Sequence, residues 1–423
     1  MAIFIEKIKA RQIIDSRGIP TLSVETVLSD GTKTIATVPS GASKGAKEAV
    51  ELRDYNPNYL FSKSVLGAKD NVNSIIFNNL KNQSPFSQFE IDKLLEKLDG
   101  SSNFKNLGAN ATLGTSLSIC EAASKSRKIE LFEYIGGMNA NILPIPMINI
   151  INGGAHSNNN LDFQEFMIVP LGYNSFKEAI EASLEVFNKL KEILKKEGKS
   201  ISTGDEGGFG ADFNYTNEAI DYILDAIEKS NHTTNKIKLA LDCAANEMFY
   251  EDKYHIDNRV LESEEMVEYL KNLSTEYPII SIEDGLNEND IIGWKKLTTE
   301  LSNKIMLVGD DIFTTNVKSL TEGIRNNIAN AILIKPNQIG TLTKTLECVK
   351  LAKNNCYKTI ISHRSGETES TFIADLAVGL NAGFIKTGSL SRSERCAKYN
   401  RLLYIEDYLG QNARYFGNCL KII

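Results

Sequence analysis

Long apolar runs are missing from this chain of 423 residues. No stretch approaches the ~20 consecutive apolar residues of a membrane-spanning helix, so no membrane span is expected. The opening residues, MAIFIEKIKARQ, reach Glu6 and Lys7 before an apolar run long enough for a signal peptide can form. Cysteine is sparse and scattered: Cys120, Cys243, Cys348, Cys356, Cys396 and Cys419 include no CxxC pair. Reduced, mostly buried thiols in a cytoplasmic protein are expected. No His or Cys cluster has zinc spacing. Positive charge is in deficit, 47 Lys and Arg against 54 Asp and Glu, a net charge of −7. That excludes a general nucleic-acid binder and leaves no footprint for a membrane surface. Hydrophobic residues at 42% and charged residues at 24% are ordinary for a globular chain, and the length exceeds what one core sustains.

Residues 3–39 alternate as strands do, with turn signals at Ser16-Arg17-Gly18 and Ser29-Asp30-Gly31-Thr32. Asp30-Gly31 is a hairpin signal, and a three-stranded antiparallel meander is expected. Helical patterns follow at about 65–80, 87–98 and 110–125. The last is rich in small residues (Ala111, Gly114, Ser116, Ala122, Ala123), which lets neighbouring backbones approach closely. Strands followed by helices make an α+β domain, placed at residues 1–138. Between them lies PSGASKGAKEA, 39–49. It is not a phosphate-binding P-loop, because Gly45 is followed by Ala46 and not by Lys-Ser/Thr. It reads either as a flexible surface loop or as a lid that carries a serine oxygen to a site on another domain.

In the second expected domain, 139–423, short apolar runs alternate with amphipathic helices. Eight strands are predicted, at 143–150, 165–170, 236–242, 278–284, 304–311, 331–335, 358–363 and 383–387. Ser175 and Glu178 form a capping box, after which Ile180, Leu184, Phe187, Leu190 and Leu194 follow at helical spacing until Gly198. Eight strands, mostly separated by helices, are the pattern of an α/β barrel of the TIM type. A helix-free loop, 151–164, joins the first two strands, so an antiparallel opening and an irregular barrel are expected.

These strands end in charge. Asp242, Glu283, Asp310, Lys335, His363-Arg364 and Lys386 close strands three to eight, and Glu165 begins strand two. In a barrel, the strands' C-terminal ends share the rim where active sites lie. A single carboxylate after a strand is usually a helix cap or a surface charge. Three on consecutive strands would repel one another unless a cation neutralised them, and an oxygen-only set of this kind suits Mg²⁺. Arg364 and Lys386 would then hold an anionic substrate, and Arg364-Ser365-Gly366 can grip phosphate through a bidentate guanidinium. Lys335 reads two ways. It either snorkels to solvent or, buried, pays desolvation in a lowered pKa and serves as a general base. In STGDEGGFGADF, 202–213, Glu206 is either part of a surface turn or an acid whose pKa is raised by crowding from Glu165. His156 in INGGAHSNNN and His363 are two of only four histidines.

The motifs DSRGIPT (15–21), SGASKG (40–45), GDEGGF (204–209), SIEDG (281–285), ILIKPNQIG (332–340), SHRSGET (362–368) and IKTGSLSRSER (385–395) resemble those of the enolase family. The similarity runs through nearly the whole chain. It implies reversible dehydration of 2-phospho-D-glycerate to phosphoenolpyruvate, with two Mg²⁺ ions in each active site. A lysine base acting beside Mg²⁺ on an ene-diolate is the established scheme of that superfamily. By the same resemblance, Asp242, Glu283 and Asp310 hold the first ion. Ser43 on the lid reaches the second. Lys335 abstracts the C2 proton, and Glu206 with Glu165 assists loss of the C3 hydroxyl. Lys386 faces the substrate carboxylate. Arg364 and Ser365 bind phosphate, and His156 and His363 line the pocket.

A homodimer or an octamer is implied, as is a cytoplasmic location, with the cell surface or signal-independent secretion as further places. Lys44 stands where the family usually has Thr, and Asn246 where it usually has Ser. The competing reading is an inactive paralogue kept as a binding or scaffold protein.

Overall fold

Alternation governs the start of the chain. In the strand Ile5–Ile14, Ile5, Ile8 and Ala10 are buried while Lys7, Lys9 and Arg11 face solvent. Ile5–Ile14 pairs antiparallel with Pro20–Leu28, and that strand pairs antiparallel with Lys33–Thr37, which is the expected meander. The computed structural model describes residues 2–41, 45 and 47–418. Helices Gln88–Asp99 and Ala109–Ser126 follow, after a helical stretch at 66–80 that contains one π-type turn, Val72–Ile76. The small residues of Ala109–Ser126 have the expected purpose. A Cβ on Gly114 would come within 2.7 Å of Val24 Cγ2 on the sheet beneath. Ser118 and Thr26 share a hydrogen bond of 2.7 Å across the same contact.

Eight strands close into a barrel: Ile145–Asn152, Glu165–Pro170, Ile237–Asp242, Ile279–Glu283, Met306–Gly309, Ala331–Ile334, Lys358–Ser362 and Gly383–Lys386. The first, second, fifth, sixth and eighth are buried along their whole length, which is why they read as unbroken apolar runs. Strand two runs antiparallel to strands one and three, and the remaining neighbours are parallel. The barrel is therefore irregular at its opening, as the helix-free loop predicts. Most strands are one or two residues shorter than their apolar runs, so Asp310, Lys335 and His363 sit just past a strand end, where the chain turns onto the rim.

Ser175 caps the helix Phe176–Lys196, accepting from Glu178 N at 3.1 Å. The Glu178 carboxylate accepts from Asn174 N and not from the cap residue, so the return half of the box is displaced by one position. Leu184 is exposed, unlike the other four members of the predicted stripe. A three-stranded hairpin within 249–261 was not foreseen; it projects between strands three and four.

The meander and helices dock on the barrel through polar ties. Asp92 accepts from Thr343 N at 2.8 Å and Thr343 Oγ1 at 2.6 Å. Thr112 donates to the Gly340 carbonyl at 2.8 Å, and Ser40 forms a bridge with Gly366. Cys120, Cys243 and Cys348 are buried thiols, Cys396 is half-buried, and Cys356 is exposed. Among the described residues, no helix is long and apolar enough to cross a membrane.

Candidate active site

Parallel strands deliver their C-terminal residues to one rim, and the antiparallel second strand sets Glu165 opposite Asp242. His156, Glu165, Glu206, Asp242, Asp310, Lys335, His363, Arg364, Ser365 and Lys386 all line one polar cavity. Larger open clefts lie at the 249–261 hairpin, and none collects comparable charge. Glu283 adjoins the cavity through Lys386. The Lys386 ammonium lies 2.7 Å from Asp242 Oδ2, 2.9 Å from Glu283 Oε2 and 3.2 Å from Glu165 Oε1. Lys335 pairs with Asp310, whose other oxygen accepts from Gln338 Nε2 at 2.8 Å. Ser43 lies outside the described residues, as does Lys44.

The proton affinities differ from the sequence reading at two points. The buried reading of Lys335 predicts a lowered proton affinity. Burial does lower it, but the Asp310 carboxylate outweighs that effect and the net shift is upward. A strand-end lysine that finds a buried carboxylate keeps its charge. Glu206 was expected to be raised by crowding. Instead Glu165 is the raised carboxyl, through burial and then the charge of Glu206. Glu206 is held low, because the His363 and His156 rings and the Arg395 guanidinium outweigh its burial. Asn149 Nδ2 donates to Glu206 at 3.2 Å, whereas Glu165 Oε2 is buried without a hydrogen-bond partner. Burial lowers His363 to about 4 and lowers His156 as well, so both rings are neutral near pH 7.

The other end of the cavity is cationic. Arg364 Nη1 donates to Glu48 Oε2 and to Asn337 Oδ1, both at 3.1 Å, and Nη2 donates to Glu48 Oε1 at 3.3 Å. Behind this segment stands Arg395, fully buried at the start of the helix Ser393–Leu409. Its guanidinium donates to the carbonyls of Arg364 at 2.7 Å, Ser365 at 2.7 Å and Asp205 at 3.1 Å, and it contacts His363 Nδ1. It thus fastens the strand-seven tip to the loop that carries Glu206. That loop turns at Gly207, with φ +89°, while Gly204 has no space for a Cβ beside the His156 carbonyl.

Sequence reasoning missed Glu48, Gln338, Arg395, Asp284 and Asp311. Asp284 has a positive φ of 41° and accepts from Asp310 N at 2.9 Å and Asp311 N at 3.0 Å, tying strand-end four to strand-end five. Asn246, at the unusual position noted above, donates to Asp311 at 2.8 Å and accepts from Glu288 N at 2.9 Å. Doubled acids in SIEDG and VGDD were the available signal for Asp284 and Asp311. Glu48 and Arg395 gave none, because each acts across a long sequence separation.

Carboxylates outnumber ammonium groups here. Burial pushes Glu165, Glu283 and Asp284 well above the usual range, helped by the charges of Glu206, Asp242 and Asp311 respectively, and Asp311 is pushed up to about 7. Such a surplus of buried oxygen ligands fits a hard divalent cation. Among the described residues, two groups gather their candidate ligand atoms within 4.8 Å: His156, Glu165 and Glu206, and Asp284, Asp310 and Asp311.

Two family models match the chain: "Enolase, N-terminal domain" over residues 5–135 and "Enolase, C-terminal TIM barrel domain" over residues 140–422. The enolase of Ehrlichia canis is 53% identical over 98% of this chain and 99% of its own length. That of Campylobacter jejuni (strain 81-176) is 52% identical, with 97% and 99% covered, and that of Helicobacter hepaticus 52%, with 99% of each covered.

Proposed function

The chain belongs to the enolase family, and from that premise we propose how its rim performs the reversible dehydration of 2-phospho-D-glycerate to phosphoenolpyruvate. The observation that carries the reading is the convergence of Asp242, Glu283, Asp310, Lys335, Arg364 and Lys386, from six consecutive strands, on one cavity.

Asp242, Glu283 and Asp310 would hold one Mg²⁺, and Ser43 would reach a second; bound there, the ions would supply positive charge that acidifies the C2 proton. Lys335 takes that proton. Its pairing with Asp310 raises its affinity, while burial and the charges of Arg364 and Lys386 work the other way. Lys386 orients the substrate carboxylate. Glu165 and Glu206 form one acid–base unit at the C3 hydroxyl, with Glu165 the proton holder and Glu206 the charged partner. Neutral His156 and His363 line this end, and Arg364 with Ser365 hold phosphate.

The division at residues 138/139 is supported by the ranges of the two family models. A homodimer, or an octamer built from dimers, fits the exposure of Ile14 and Ile35 on the outer strands of the meander. A cytoplasmic location fits the free thiols of the described cysteines.

The test is the ultraviolet appearance of phosphoenolpyruvate from 2-phosphoglycerate with Mg²⁺, with excess chelator, and with Lys335→Ala. Turnover that requires both Mg²⁺ and Lys335 is expected. Undiminished turnover by well-folded Lys335→Ala would remove the lysine from the reaction.

A further inference from the structure

The residue that engages Arg364 comes from the other domain. Glu48 stands just after the small-residue loop, and its side chain is nine-tenths buried against a guanidinium that is itself 5% exposed. The geometry is a two-point fork, at 3.1 and 3.3 Å, the arrangement in which an arginine grips a carboxylate or a phosphate. Both hydrogens of Nη1 are thereby committed, one to Glu48 and one to Asn337. Glu48 has partners apart from arginine. Gln338 Nε2 lies 3.3 Å and Gly45 N 3.2 Å from its Oε1. A carboxylate that lets go of Arg364 therefore keeps two donors and is not stranded as an unpaired buried charge.

We propose that Glu48 is a specificity-determining residue: it competes with the substrate phosphate for the Arg364 fork and so sets a threshold that only a multiply charged oxyanion passes. This rests on the reading of Arg364 as a phosphate anchor. A singly charged carboxylate entering the site offers Arg364 nothing that Glu48 does not already supply, whereas a phosphate dianion brings more charge and a third acceptor oxygen. Discrimination is thus achieved by opposing the wrong anion as well as by attracting the right one. An alternative role, in which Glu48 merely holds Arg364 in place for phosphate, predicts the opposite sign when its charge is removed.

The experiment is isothermal titration of the intact protein with inorganic phosphate, in three forms: unaltered, Glu48→Gln and Arg364→Gln. Circular dichroism verifies that each is folded, and melting curves with and without phosphate give a second reading of affinity. Glu48→Gln is expected to bind phosphate at least tenfold more tightly, with a larger phosphate-induced rise in Tm. Its KM for 2-phosphoglycerate should fall in parallel. Arg364→Gln should lose at least tenfold. If Glu48→Gln does not fold, Glu48→Asp carries the same test with a smaller gain, because it keeps the charge on a shorter arm. Equal or weaker phosphate binding by the folded Glu48 variant, with Arg364→Gln weakened, overturns the proposal and leaves Glu48 a positioning group. Undiminished binding by Arg364→Gln removes the phosphate anchor itself, and the proposal with it.

Discussion

Lys386 shows how a single side chain can hold a hostile neighbourhood together. Its ammonium touches three carboxylates contributed by strands two, three and four, and it is almost completely buried among them. Burial lowers its proton affinity, yet Asp242, Glu165 and Glu283 outweigh that and push it well above the ordinary value. Taking that charge away leaves buried carboxylates facing one another, a change that typically costs about 3–5 kcal/mol. We therefore expect Lys386→Met, assayed by urea unfolding in chelator, to lose stability on that scale. Millimolar Mg²⁺ should stabilise the variant more than the unaltered protein, and equal stabilisation of both would show that no shared carboxylate cluster exists. The charged ends of the strands were legible in the sequence because an apolar run that stops at an ionisable residue is a local pattern. The direction in which each residue titrates was not, since that depends on a partner. Lys335 and Glu206 both shift against the sequence expectation, one because of Asp310 and the other because two histidines and Arg395 face it.

At the scale of elements, the rim is a set of tips that need fastening. Strand pairing stops at Ser362 and Lys386, so the segment after strand seven relies on side chains for its register. Arg395 supplies donors to three carbonyls, and Lys398 does the same for Thr368 while pairing with Glu367 at 2.9 Å. Leaving buried acceptors unmet costs about 1–3 kcal/mol each. Arg395→Met is expected to lower unfolding stability by at least about 3 kcal/mol, and Arg395→Lys to recover part of the loss. A loss below about 1 kcal/mol would mean that the tip is held by other contacts. The elements themselves followed the sequence closely, because hydrophobic period and capping act over a few residues. The three-stranded hairpin at 249–261 escaped, since its strands are only two to four residues long and half exposed.

At the scale of the whole molecule, the α+β portion meets the barrel along a seam that titrates. Glu121, in the helix Ala109–Ser126, is pushed up to about 8 by burial and then by the charge of Asp375 in the helix Phe372–Gly379, with Lys125 opposing. In the unfolded chain its carboxyl ionises near 4.3. Between those values the folded state binds the extra proton, so its contribution to stability is complete below about pH 4 and is lost as pH rises toward 8. Glu121→Gln should flatten the decline of unfolding free energy between pH 5 and 8, leaving the variant the more stable form at pH 8. Superimposable pH profiles would refute the assignment. The same seam includes Gly136, at the end of the helix Leu131–Gly136, where an added Cβ would overlap the Gly379 carbonyl, so this helix and Phe372–Gly379 approach as closely as their backbones allow.

By itself the sequence determined the meander, the main helices, the eight barrel strands with their order and antiparallel opening, and which residues stand at the strand ends. These follow from hydrophobic period, turn chemistry and short motifs, all of them local. Tertiary structure alone decided who faces whom: Lys386 amid three carboxylates, Glu206 beside His363 and Asn149, Glu48 on Arg364, and Arg395 behind the rim. Glu48 and Arg364 are separated by 316 positions and Arg395 and Asp205 by 190, and charge acts through the space that folding closes, not along the chain.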